Sequence, residues 1–398
     1  SLTNWSGKNT INHDDITQGL IFLGLQGMID PPRKEAMLAV RACQAAGIRV
    51  KMITGDHSIT AATIAGQIGL DVNVAVDEIP KVLTGRELVE ISDAELIQVS
   101  TNTAVFARVT PEQKLRLVEA MQAHGEVVAM TGDGVNDAPA LRRSDIGVAM
   151  GITGTEVSKE AADMVLTDDN FATIEAAVEE GRGVFDNLIK FLTWILPTNA
   201  GQGLVIIAAV MLSQPLPVLP VQALWINMTT AVFLGLALAF EPREPGIMLR
   251  SPRTPDTSLL NGELIFRIIL VGMLLLICSF GLFEWALFRG AGEAEARTIA
   301  VNVFAVGQSF YLLNCRSLRY SIFRLGLFSN PWIWGGIATM TMAQLLFTYL
   351  PIMNQLFHTA PISIKDWMYI LAVGLVIYLV IGAEKTFWRY REKRAIKI

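Results

Sequence analysis

The sequence predicts an α/β domain with a mainly parallel, doubly wound sheet, followed by an α-helical membrane domain of about six spans. Three observations predict it. Short apolar, β-prone runs alternate with helix-compatible segments through the first part of the chain. Two of those runs end in the same loop, Thr54-Gly55-Asp56 and Thr131-Gly132-Asp133, and carboxylates at the carboxyl ends of parallel strands are how such folds present chemistry. After Asp186 the composition shifts to apolar stretches of about 20 residues, the length that crosses a bilayer.

Composition agrees with a chain of two characters. Its 398 residues are 52% hydrophobic with a formal net charge of −5, too apolar for an ordinary soluble protein and too charged in its first part for a purely membrane one. The mild negative charge argues against nucleic acid as a partner. Cys43, Cys278 and Cys315 show neither metal-ligand nor disulfide spacing and read as buried thiols in a reducing setting. Ser1 to Asp15 is polar and reads as no signal peptide. The expected division is 1–173 and 174–398.

Leu20 to Ile29 reads as the first strand, ended by Asp30-Pro31-Pro32-Arg33, where two prolines mark a hinge. Lys34 to Ala46 has helical periodicity and Gly47 offers a helix C-cap. Ile48 to Ile53 is the strand that carries Thr54-Gly55-Asp56, and His57 or Ser58 opens a helix running to Gly69. Asp71 to Thr101 is less informative, with helix expected over Gly85 to Ile91 and again toward Val99. A short strand at Val105 to Ala107 precedes Thr110-Pro111-Glu112, a strong helix start with a Thr cap, Pro at the first helical position and acid in the first turn. Lys114 lies in that turn, directed at the edge that carries the Asp loops. A lone helix lysine is normally solvated; here its position gives it a use.

The run Val127 to Thr131 ends in Gly132-Asp133-Gly134-Val135-Asn136-Asp137-Ala138-Pro139. Two carboxylates so close would repel each other without a cation, so Asp133 and Asp137 suggest Mg²⁺ beside a phosphate, against the plainer reading of an acidic surface turn. A helix at Ala138 to Ser144, a strand at Ile146 to Ala149, a helix at Glu156 to Ala162 and a strand at Met164 to Leu166 complete the α/β part. From Ile174 a helical pattern runs through Phe185 and Trp194 into Leu204 to Leu212, able to carry force into the bilayer. Further spans are expected at Leu219 to Phe240, Leu264 to Phe288, Thr298 to Leu313, Pro331 to Leu350 and Trp367 to Ala383. Positive charge gathers at Arg243, Arg250 and Arg253, at Arg316, Arg319 and Arg324, and in the tail, which places the α/β part and the C-terminus in the cytoplasm and the spans in the plasma (inner) membrane.

Together, Thr54-Gly55-Asp56, Lys114 after Thr110-Pro111, and Thr131 to Leu141 resemble the P-type cation-transporting ATPases, calcium pumps among them, of the haloacid dehalogenase superfamily. Asp30 to Arg33 looks like their hinge, and Leu224 to Thr230 looks like their sixth span. The resemblance implies a Rossmann-like phosphorylation domain, ATP as energy source, Mg²⁺ as cofactor, and a cation moved across the lipid bilayer through an aspartyl phosphate. It implies that Thr54, in a loop completed by Gly55 and Asp56, and Lys114 both contact the phosphoryl group. It further implies that Asp133 holds Mg²⁺, assisted by Asp137, and that Asn136 and Asp137 orient the phosphate loop.

One departure is large: the family's Asp-Lys-Thr-Gly-Thr nucleophile motif does not occur, and neither Asp30 nor Asp14-Asp15 sits on an apolar strand tip. The expectation is therefore the C-terminal half of a pump, its phosphorylation domain incomplete and ATP bound mainly by a nucleotide domain outside it. Such a chain would be inactive alone and would partner an N-terminal half if the gene is split. The alternative is a non-catalytic membrane protein that binds Mg²⁺ and phosphate as a regulatory partner. A membrane-tethered phosphatase is disfavoured by the same missing nucleophile.

Polar residues inside spans are the place to seek the transported ion. Pro197 to Gln202 should interrupt the first span, with Asn199 and Gln202 on one face; Asn227 and Thr230 repeat the pattern, and Gln308 is a further candidate. Helix-to-helix hydrogen bonding is the bland alternative. Calcium pumps carry acids where Gln202, Ala231 and Gln308 stand, so the ion is open between Ca²⁺ and a monovalent cation. The lack of Cys or His pairs in the spans argues against heavy-metal transport.

Overall fold

The computed structural model describes residues 31–70, 81–254, 258–318 and 326–395, with Thr10, His13, Gly24, Gln26, Tyr320 and Ile322 as isolated positions. The chain divides into two compact units, Ser1–Gln44 with Arg49–Thr173, and Ala45–Ile48 with Ile174–Ile398.

In the first unit the order is α1 (Lys34–Ala45), β1 (Met52–Thr54), α2 (Ser58–Ile68), β2 (Val82–Thr84), α3 (Gly85–Glu90), α4 (Asp93–Asn102), β3 (Val105–Ala107) and α5 (Pro111–Ala123). The strands form a parallel sheet, β1-β3-β2. Alternation of side chains across β3 builds a core on each face. Val105 and Ala107 pack with Val40 of α1 and Ala61 and Ala65 of α2, whereas Phe106 packs with Leu88, Leu96 and Leu117 of α3, α4 and α5. Phe106 is wholly buried, worth about 1.5–3 kcal/mol to the fold. Helix ends follow their caps: Thr84 and Thr110 form capping boxes with Glu87 and Gln113, and Gly69 closes α2 at φ +74°, a left-handed position that suits glycine.

A second parallel sheet, β4-β5-β6, follows, from β4 (Ala129–Gly132), α6 (Ala138–Arg143), β5 (Ile146–Met150), α7 (Glu156–Ala161) and β6 (Met164–Leu166). Helix α5 serves both sheets, with Leu117 in the first core and Val118 in a cluster with Met130, Ala140 and Leu141. The parallel α/β arrangement expected from the sequence is present, among the described residues, as two sheets of three strands with no ladder between β1 and β4. Apart from Gly24 and Gln26, the strand expected over Leu20 to Ile29 lies outside the described residues, as do Asp14, Asp15, Asp30 and Asp71 to Pro80.

In the second unit five helices are long and apolar enough to cross a membrane, or up to six if one bent pair counts as a span. The first, α8 (Phe171–Met211), runs 41 residues without a break. Pro197 does not interrupt it as expected. The carbonyl that loses its partner to this proline is that of Thr193, four residues back, and Tyr311 Oη donates to it at 2.6 Å. Next come α9 (Pro220–Thr230), a π-helical turn Ala231–Gly235, and α10 (Leu236–Ala239). Then follow α11 (Gly262–Phe288), α12 (Glu293–Cys315), α13 (Pro331–Tyr349), α14 (Pro351–Phe357) and α15 (Ile364–Ala395). Helices α13 and α14 are bent by 81° at Leu350. Here too a carbonyl four residues before a proline is recovered by side chains: Asn354 Nδ2 and Thr359 Oγ1 donate to Phe347 O at 3.2 and 3.3 Å.

Small residues bring the helices together. A Cβ on Gly336 would lie 2.0 Å from Phe233 O, so only glycine lets α13 reach the π turn. Buried charge is paired: Arg316, fully buried, meets Glu241 at 2.9 Å, and Asn330 Nδ2 donates to the same carboxylate at 2.8 Å. Arg267 NH2 reaches both oxygens of Glu384, at 2.8 and 2.9 Å. Cys43 and Cys315 are buried and Cys278 is half-buried. Arg319, Arg324 and Lys397 lie outside the described residues.

Candidate functional site

At the tip of β4, Gly132-Asp133-Gly134 turns the chain out of the sheet and into the short helical turn Val135–Asp137. Asp137 folds back under this turn. A Cβ on Gly132 would lie 2.5 Å from the Asp137 Cβ, so glycine is what admits the carboxyl group there. Its Oδ1 takes Lys114 Nζ at 2.5 Å, and Gly134 N donates to its Oδ2 at 3.3 Å. The pair is almost out of solvent, with side-chain exposures of 16% for Lys114 and 9% for Asp137.

Asp133 has the opposite setting, its carboxylate exposed while its carbonyl is anchored. Thr155 N donates to Asp133 O at 2.9 Å and Ser158 Oγ does so at 3.0 Å. The loop that supplies Thr155 is itself braced by Asp169, whose oxygens accept from Ile152 N at 3.0 Å and Thr153 N at 2.7 Å. Those backbone donors, Ile152 first, hold the Asp169 carboxyl at about 2. A Cβ on Gly154 would meet Met150 O at 1.9 Å, so this loop requires glycine there.

The other strand tip joins through β3. Val109 N donates to Thr54 O at 3.3 Å, tying Thr54 to the loop from which Thr110 caps α5 and presents Lys114. The Thr54 hydroxyl donates to Asp56 Oδ2 at 3.0 Å and accepts from Asp56 N at 3.1 Å, while Gly55 meets nothing within 4 Å of an added Cβ. Lys114 and Asp137 are therefore in direct contact, and Thr54 is tied by its backbone to the loop that precedes α5; Asp133 and Asn136 are exposed on the same loop as Asp137.

In the second unit a cavity of about 200 Å³ is lined by Trp194, Ile195, Thr198, Asn199, Asn227, Thr230 and Ala231. Three of the five polar residues singled out from the sequence meet there. Thr230 Oγ1 donates back to Ile226 O at 2.7 Å, at the start of the π turn. Gln202 and Gln308 do not line the cavity; both are buried, and Gln202 Nε2 and Gln308 Oε1 have no hydrogen-bond partner. Among the described residues no carboxylate lines it.

Comparison with known proteins matches both units. Residues 8–145 and 114–177 match two models described as haloacid dehalogenase-like hydrolase, and residues 215–387 match the model described as cation transporting ATPase, C-terminus. The probable cation-transporting ATPase F of Mycobacterium tuberculosis is 58% identical over 376 residues, 94% of this chain and 41% of that protein. By sequence, the chain carries haloacid dehalogenase-like hydrolase and cation-transporting ATPase C-terminal domains. The cation-transporting ATPase pma1 of Synechocystis is 48% identical over 90% of the chain and 40% of its own length. The calcium-transporting ATPase of Bacillus subtilis is 39% identical over 95% of the chain and 42% of its own length. The chain thus spans about two-fifths of the length of the relatives it matches.

Magnesium use is expected for this family, and the residues at the β4 tip bear on it unequally. Among the described residues no group of three or more His, Cys, Asp or Glu could enclose a metal. Mg²⁺ retains several waters and needs only one or two carboxylates beside a phosphate, so an exposed, rigidly anchored Asp133 fits it. Asp137 is occupied by Lys114 and Gly134. Sequence reasoning missed the brace beneath Asp133. Thr155, Ser158 and Asp169 read as an ordinary helix cap and a strand-end turn, and no local spacing announces that Thr155 and Ser158 meet on the Asp133 carbonyl while Asp169 braces the loop that brings them there.

Proposed function

We propose that this chain works in an ATP-driven cation pump, supplying one wall of the phosphoryl site and part of the ion path. The observation that carries the first half is the Lys114–Asp137 pair of 2.5 Å at the tips of parallel strands. Phosphoryl transfer asks a protein mainly for positioned positive charge and hydrogen-bond donors around the phosphate oxygens. Lys114 supplies the charge, and Asp137 holds it from turning into solvent. The Thr54 hydroxyl, now donating to Asp56 at the other strand tip, is a further donor. Asn136, exposed on the loop, adds a side-chain amide.

Asp133 would hold Mg²⁺, which when bound offsets negative charge on the phosphoryl oxygens. The chain's own part in that is rigidity. Thr155 N and Ser158 Oγ fix the Asp133 backbone, so its carboxylate has only side-chain rotation left to lose on binding.

The ion path reading rests on the cavity of Asn199, Asn227 and Thr230, whose amide and hydroxyl oxygens are hard neutral donors that suit an alkali or alkaline-earth cation. Relatives named calcium-transporting keep Ca²⁺ among the candidates. With no carboxylate on this lining, the site favours a monovalent ion unless acids from outside the described residues join it. Asp133→Asn in the full-length protein is expected to abolish Mg²⁺-dependent formation of a hydroxylamine-labile phosphoenzyme from labelled ATP. Retained phosphorylation at the parental level overturns the assignment.

A further inference from the structure

Two reciprocal hydrogen bonds join α8 to α12 at the level of the cavity. Trp194 Nε1, on α8, donates to Gln308 O at 3.1 Å, and Tyr311 Oη, on α12, donates to Thr193 O at 2.6 Å. Trp194 and Tyr311 are each 1% exposed, so water reaches neither bond. The two carbonyls differ in their need. Gln308 O lies within regular α12, where its own helix can serve it. Thr193 O lies four residues before Pro197, which has no N–H, so without Tyr311 it is an orphan acceptor inside a span.

The turn in question carries Asn199 two residues beyond the proline, and Trp194 and Thr198 from the same turns line the cavity. A proline turn free of tertiary contacts is where a long helix bends. We propose that Tyr311 is a positioning residue for the cation cavity. Its hydroxyl replaces the N–H that Pro197 lacks, and so seats the turn bearing Asn199 against α12. This rests on reading the cavity as the cation site. Thr198 acts in the same sense from within α8, its Oγ1 donating to Trp194 O at 3.1 Å and Ile195 O at 2.9 Å, so the carbonyls beside Thr193 are doubly served and only Thr193 depends on another helix.

The proposal makes a reciprocal demand that an ordinary packing role does not. Tyr311→Phe removes the donor with almost no change in shape. Pro197→Ala restores an N–H that can close the bond from within α8, so the two changes together should cancel. The test uses the full-length protein in vesicles, with Ca²⁺, Mg²⁺, Na⁺ or K⁺ supplied singly as the stimulating ion of ATP hydrolysis. Tyr311→Phe is expected to raise the half-saturating concentration of the stimulating ion about tenfold, the scale of one unsatisfied buried acceptor, with a smaller change in maximal rate. Tyr311→Phe with Pro197→Ala is expected to return to within about threefold of the parent.

An unchanged half-saturation in Tyr311→Phe, or a double variant as impaired as the single, overturns the proposal. Asn199→Ala and Asn227→Ala separate the two readings. If both leave ion stimulation at the parental level, the cavity is not the ion site and the positioning claim falls with it. If they shift it while Tyr311→Phe does not, the cavity stands and Tyr311 is only structural. Thermal unfolding of the parent, Tyr311→Phe and the double variant in detergent needs no ion: absence of rescue of Tyr311→Phe by Pro197→Ala there overturns the hydrogen-bond substitution itself.

Discussion

Replacing Asp137 by Asn isolates the contact on which the phosphoryl-site reading rests. The change keeps shape and an acceptor for Gly134 N, but leaves the Lys114 ammonium beside a neutral group. Breaking a fully buried ion pair by removing one partner costs about 3–5 kcal/mol. Lys114 retains 16% side-chain exposure, so some water reaches it and a loss of about 2–3 kcal/mol is the better expectation. In a unit of this size each kcal/mol moves the melting temperature by about 2–4 °C, giving a fall of about 5–10 °C. Lys114→Met with Asp137→Asn removes the stranded charge and is expected to recover most of that loss, because the remaining amide still accepts from Gly134 N. Scanning calorimetry of the full chain in detergent reads both. The reasoning fails if Asp137→Asn melts within about 2 °C of the parent, or if the double variant melts below both single ones.

Lys51 gives a pH signature. Burial first, then the neighbouring Arg49, lowers its ammonium to about 8, although Nζ donates to Thr101 O at 3.0 Å and Thr103 O at 2.8 Å. The unfolded chain keeps the proton up to 10.5, so folding is opposed by this charge below pH 8 and the opposition is relieved between pH 8 and 10.5. Chemical denaturation of the parent should therefore gain stability across that window relative to Lys51→Met, and parallel curves for the two proteins would count against it. In the second unit, Arg316→Met strands the buried Glu241 carboxylate and is expected to cost about 3–5 kcal/mol, with Glu241→Gln added in the same chain restoring thermal stability in detergent. A double variant no more stable than Arg316→Met refutes that pairing.

Much of the fold was legible because local signals were strong. Thr110-Pro111 predicted the start of α5, Gly69 the end of α2, and the β-prone run Met164 to Leu166 is observed as a strand at those bounds. Strand β2 was not legible, since Val82 to Thr84 is too short to show a period and leads straight into α3. The order of strands within each sheet, with β3 between β1 and β2, depends on which strands pair, a long-range property that no window of sequence contains. At the site, residue types pointed to phosphate and metal, but nothing local distinguished Asp137, turned inward onto Lys114, from Asp133, turned outward. In the membrane part apolar length marked the spans. The π turn after Thr230 and the survival of α8 through Pro197 were hidden, because both are settled by partners on other helices.

That survival bears on how the protein is made. Chains emerge from the ribosome amino end first, so α8 reaches the bilayer while Tyr311, 118 positions downstream of Thr193, is still to be synthesised. For that interval the Thr193 carbonyl has no donor in its own helix. The span must then borrow a partner from water, lipid headgroups or the insertion machinery. Completion of α8 as a membrane helix is thereby deferred until α12 arrives, which makes a late span a condition for the maturity of an early one.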